Sequence, residues 1–144
     1  MIKSLASRSW AFLIVGLVLG AALVQLRAAE PAASGRVFEM RTYHCFPGRL
    51  DALHKRFREH TMKVFEKHGM KNVAYWTFED SPAKENTLIY VISHASRAQA
   101  KTNWAEFGAD PEWQAIAADS EKDGKIVEKV DSVFVDATDY SPLK

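Results

Sequence analysis

The sequence predicts an α+β domain of the ferredoxin-like type, β-α-β-β-α-β, with an antiparallel sheet and helices on one of its faces. Three observations lead there. β-rich segments begin at Val37, Val73, Thr87 and Val127. A long stretch of helical period lies between the first and second, and two shorter ones lie between the third and fourth. The second and third strands follow each other directly across a polar turn, so the order is strand, helix, strand, strand, helices, strand.

The first strand starts at Val37, where Phe38, Met40 and Thr42 alternate with Glu39, Arg41 and Tyr43. That alternation predicts an apolar face beneath the helices and a second face carrying acid, base and phenol in a row. Pro47-Gly48 ends the strand. Over 50–68, Leu50, Leu53, His54, Phe57, Thr61, Val64, Phe65 and His68 share one helical face, and Gly69 is placed to end the helix in a left-handed cap. The aromatic and β-branched run 73–79 is the second strand. Residues 80–86 form a turn too long for a tight hairpin. The third strand, 87–94, has an apolar middle that puts it inside the sheet. Ser96 with Gln99 reads as a capping box for a helix through Ala100, Trp104 and Phe107. Asp110-Pro111 reads as an N-cap and first-turn proline of another, with Trp113, Ile116 and Ala117 on its apolar side. Residues 127–135 supply the last strand.

Residues 1–29 stand apart from this domain. Lys3, Arg8 and Arg27 are their only charges, and an apolar run spans 10–24. The pattern predicts a secretory signal peptide or an uncleaved membrane anchor, with a mitochondrial presequence as a lesser alternative. The expected location is therefore periplasmic, extracellular or membrane-anchored, with 30–36 a linker and 37–143 the domain. Removing those three charges from 19 basic residues leaves 16 against 18 acids. Such a near-neutral domain offers no footprint for nucleic acid. Cys45 is the only cysteine, so no internal disulfide forms and the core must hold the domain by itself.

Glu39-x-Arg41-x-Tyr43 followed by Pro47-Gly48 and a long helix resembles the opening of the NIPSNAP family. Asp110-Pro111-Glu112-Trp113-Gln114 is similar to that family's motif before the final strand, and Tyr140-Ser141-Pro142 to its ending. The chain departs from the pattern at the end of the third strand, where Ile92-Ser93-His94 replace Trp and Tyr. The resemblance implies a dimeric α/β-barrel without a settled activity. A homodimer is also expected on physical grounds, because helices cover one sheet face and the other needs a cover. Val37 and Tyr43 are expected on that uncovered face.

The candidate ligand-binding residues are Glu39, Arg41, Tyr43, Tyr75 and Trp104. Glu39 and Arg41 are expected to pair, as a structural ion pair or around a small polar ligand. The aromatics suit a small apolar or aromatic ligand. His44 and His94 end neighbouring strands, so they are expected near one pocket mouth, where a neutral imidazole would serve as general base. His60 and His68 are too far apart along a helix to share an ion, and no metal or cofactor is expected. Two readings follow. One is an exported or tethered homodimeric module that binds a small ligand or a partner. The alternative is a cofactor-independent monooxygenase or isomerase of the dimeric α/β-barrel kind.

Overall fold

The computed structural model describes residues 36–143. The expected signal segment and nearly all of the linker lie outside them. Four strands form one antiparallel sheet in the order β2-β3-β1-β4. They are β1 (Val37–Cys45), β2 (Lys71–Thr77), β3 (Thr87–His94) and β4 (Val127–Val135). The central pair is β1 and β3, in keeping with the apolar middle of β3. This is the predicted α+β, ferredoxin-like arrangement.

The turn after β1 is of type II. Arg49 N–H donates to the Phe46 carbonyl at 3.0 Å, Pro47 takes the second position, and Gly48 takes the third at φ +72°. The helix that follows is not uniform. It runs as α1 (Leu50–Arg56), a π turn (Phe57–Thr61) and α2 (Met62–Lys67). Phe57 and Thr61 of the wider turn are buried, as is Arg56 just before it, whose guanidinium reaches Ser120 and Glu121. The Thr61 hydroxyl donates to the Arg56 carbonyl at 3.2 Å, satisfying an acceptor at the π turn. Gly69, at φ +72°, closes α2. Its N–H meets the Glu66 carbonyl at 3.0 Å, and Met70 N–H meets Phe65 at 2.9 Å, the two bonds of a Schellman cap.

Helix α3 (Arg97–Ala109) starts at Ser96, whose Oγ accepts from Gln99 N–H at 3.0 Å. Only half of the capping box forms, because the Gln99 side chain is drawn to Asn103 instead. Asp110 caps α4 (Pro111–Ser120), accepting from Glu112 N–H at 2.9 Å. Its other oxygen accepts from Lys67 and bonds His68, and these partners hold its carboxyl well below the usual range. Asp110 thereby ties α2 to the α3–α4 junction.

The core packs between sheet and helices around Leu53, Phe57, Phe65, Met70, Leu88, Tyr90, Ile92 and Ile126. Cys45 belongs to it and is fully buried, and burial raises its thiol. The two sheet faces are the reverse of the expectation. Glu39, Arg41 and Tyr43 lie beneath the helices, while Met40 and its neighbours are left uncovered. Met40 pairs across to Val91 and Val133, and all three share that face with Val135 and Trp76. Met40 is 39% exposed, Val133 48% and Trp76 53%. Val37 and Tyr43 therefore do not belong to the open face. Charged residues can occupy the covered side because each finds partners there.

Candidate functional site

The Glu39 carboxylate is the centre of the charged row beneath the helices. Glu39 is 1% exposed, so its charge depends on local donors. Oε1 accepts from Arg41 Nη1 at 2.7 Å and from Ser132 Oγ at 2.6 Å. Oε2 accepts from Trp104 Nε1 at 2.7 Å and faces His94 Nε2 at 3.1 Å. Burial raises this carboxyl, but the hydrogen bonds from His94, Ser132, Trp104 and Arg41 together outweigh it. The balance lowers Glu39 from its ordinary 4.5 to about 2.

A second tier orients the first. Gln99 Nε2 donates to Asn103 Oδ1 at 2.8 Å, which turns the Asn103 amide nitrogen toward His94 Nδ1 at 3.2 Å. With Nδ1 accepting there, His94 presents its Nε2–H to Glu39. Both ring nitrogens are thus engaged, and the side chain is buried. His94 positions the carboxylate and holds no free lone pair for a base.

The expected pairing of His44 with His94 does not occur. β1 and β3 run antiparallel, so Val37 lies opposite His94 while His44 lies opposite Thr87. Seven residues of strand separate the two histidines along the sheet, roughly 23 Å at the usual rise. His44 sits on the uncovered face and bonds Asp131 at 2.8 Å. Lys129 and His44 hold that Asp131 carboxyl below the usual range. Among the described residues, no group of three or more His, Cys, Asp or Glu comes together as a metal site.

Of the five ligand-binding candidates, Glu39, Arg41 and Trp104 converge. The Arg41 guanidinium lies 4.2 Å from the Trp104 ring and 5.7 Å from that of Tyr43. Tyr75 is one step removed. It stacks on Tyr90 at 5.5 Å, and its hydroxyl is taken by Asn72. It borders a separate cavity of about 250 Å³ with His54, Phe57, Met62 and Trp76. Arg41 and Tyr90 are direct cross-strand partners beneath the helices; Arg41 Nε is buried without a hydrogen-bond partner, and the buried Tyr90 hydroxyl has the Tyr43 phenol beside it. Burial pushes the Tyr90 phenol well above its usual range, so the hydroxyl keeps its proton and can donate. The result is an unspent guanidinium donor near a buried phenol.

Sequence reasoning missed Asn103, Ser132 and Tyr90. A signal existed for Asn103, which falls on the stripe of Ala100, Trp104 and Phe107. A polar residue on a buried stripe needs a partner. No comparable signal marks Ser132, whose role comes only from lying opposite Arg41 across β4.

The network predicts an acid-dependent stability. Glu39 is lowered in the fold, so its contribution is fully present above about pH 4.5 and is lost as pH falls through about 2. The loss should be of order 3 kcal/mol. Urea unfolding between pH 2 and 6 should show the gap between the parent and Glu39→Gln narrowing across that window. A constant gap would place the carboxylate outside the network.

Comparison with known proteins places this geometry in a wider group. The NIPSNAP family profile matches residues 38–142. A NIPSNAP family protein of unknown function from Agrobacterium tumefaciens is similar in structure, with a TM-score of 0.67 and 21% identity. That alignment covers 78% of this chain and 96% of the other. A NIPSNAP-like domain protein from Burkholderia xenovorans aligns at TM-score 0.66 and 15% identity, over 77% and 93%. A second A. tumefaciens NIPSNAP protein aligns at 0.66 and 20%, over 76% and 100%. No curated protein matches the chain.

Proposed function

The chain belongs to the NIPSNAP family, and on that premise we propose that it is a homodimeric module binding a small ligand at Arg41 and Tyr90. The observation that carries this reading is the buried, unpartnered Arg41 Nε, with the buried Tyr90 hydroxyl near it, beside the aromatic faces of Tyr43 and Trp104. Buried polar groups ordinarily find partners, and a ligand oxygen placed there would accept from both. The aromatics would cover a planar or apolar body. The Glu39 network holds Arg41 in place by one nitrogen, leaving its other edge for the ligand.

The dimer is supported by the uncovered apolar face through Met40, Val91, Val133 and Val135, which a second copy would cover. Export or tethering is supported by the basic start and apolar run of residues 1–29. Among the described residues, no helix is long and apolar enough to cross a membrane, so any tether would lie in that segment.

Native mass spectrometry of the purified chain tests the reading. A dimer that carries a reproducible extra mass, lost in Arg41→Lys, is the expected result. A ligand-free dimer would favour a protein-interaction role for the module. A monomer would overturn the assembly.

A further inference from the structure

The helix layer carries another cavity, which neither the carboxylate network nor the uncovered sheet face reaches. It measures about 440 Å³ and is bordered by α1 with the residue before it, the π turn, α4 and the turn after α4. That volume is within the range of small-molecule sites. Its walls bring four cations, Arg49, Lys55, Arg56 and Lys122, against three acids.

Two of these cations are built into the fold. Arg56 is 6% exposed and lies over the Trp113 ring at 5.4 Å. All its side-chain hydrogen bonds run through Nη1, to Ser120 Oγ at 3.3 Å and Glu121 Oε1 at 3.2 Å. Its Nε is buried without a partner. Arg49 repeats the pattern. Nη2 donates to the Ser120 and Gly124 carbonyls at 3.4 and 2.9 Å, and Nε is again buried and unpartnered. Among the described residues, no carboxylate lies within ion-pair distance of Arg49, whereas Glu121 serves Arg56. Each guanidinium is therefore gripped by one nitrogen and keeps donors in reserve. Arg56 keeps Nε and Nη2, the edge that donates to two oxygens of a carboxylate or phosphate side-on.

We propose that this cavity binds a small organic anion, with its carboxylate or phosphate group held between Arg49 and Arg56. The remainder of the ligand would lie against Ala52, Ala115 and Ile116, which border the same space. The site is independent of the dimer and of the Arg41 spot, so each can fail without the other.

The test is NMR of the arginine Nε–H groups in the full chain, titrated separately with sodium benzoate and inorganic phosphate at constant ionic strength. The Arg49 and Arg56 signals should move together and saturate, while Arg97, which lies over the Phe134 ring and does not border the cavity, serves as the unmoved reference. Tighter binding of benzoate assigns a carboxylate with an apolar body, and tighter binding of phosphate assigns a phosphate ester. Glu59→Gln removes a lining acid and should tighten either probe about threefold, a gain that unfolding cannot produce. Ala115→Trp, at an exposed helix position, should fill the space and weaken binding about tenfold or more. The proposal is overturned if no saturable shift appears below about 10 mM, the weak end of specific recognition. It is equally overturned if Ala115→Trp binds as the parent does, or if Arg97 shifts with the other two.

Discussion

Replacing Glu39 with alanine should destabilise the domain by about 3 to 5 kcal/mol, the range for removing one partner of a buried ionic network. Among the described residues, the carboxylate is the only acceptor for Ser132 Oγ, Trp104 Nε1 and Arg41 Nη1, and His94 faces it as well. Its loss leaves these donors and the Arg41 charge without a partner beneath the helices. In a domain of this size the melting temperature should fall by the order of 15 °C. Arg41→Ala should also destabilise, but less. It removes one of four donors, and the other three still satisfy Glu39. Urea and thermal unfolding of both variants check the ranking. A cost below about 1 kcal/mol for Glu39→Ala would mean the network does not hold the core. A double-mutant cycle with Ser132→Ala should show coupling, because both groups share one short hydrogen bond.

Val133→Asp should convert the proposed dimer to a monomer. Val133 pairs with Met40, which in turn pairs with Val91, so the substitution puts a carboxylate on the uncovered face beside Met40 of the central strand. In a closed interface that charge would be buried without a partner. A cost of about 3 kcal/mol or more would weaken association by roughly a hundredfold. Val130→Asp is the matched control. Val130 is on the same strand and is similarly exposed, but it pairs with Tyr43 and so belongs to the helix side. Sedimentation velocity should show a monomer for Val133→Asp and a dimer for Val130→Asp. Equal behaviour of the two variants would refute the assignment of this face as the interface.

The contrast between those two valines shows where sequence reasoning stopped. Helix ends, turns and strands are set by local chemistry, and they were legible. Gly69 closes α2, Asp110-Pro111 starts α4, and Pro47-Gly48 makes the turn after β1, each through bonds to residues only a few positions away. The interior place of β3 followed from its apolar middle, and its pairing with β1 from the ferredoxin-like order of elements. The π turn was not legible, because Thr61 continues an apolar stripe whether or not an extra residue is accommodated before it.

What only the tertiary structure decided is which face of β1 is covered. A period of two separates Glu39, Arg41 and Tyr43 from Phe38, Met40 and Thr42, but it does not say which row meets the helices. Hydrophobicity argued for the apolar row. The polar row lies inside because its partners arrive from far along the chain: His94 is 55 residues from Glu39, Trp104 is 65 and Ser132 is 93. A buried carboxylate is tolerable only when such donors converge, and convergence is a property of the folded chain. The sequence by itself determined the elements and their order. The long-range hydrogen bonds determined which side became the interior and left the apolar row uncovered by the helices.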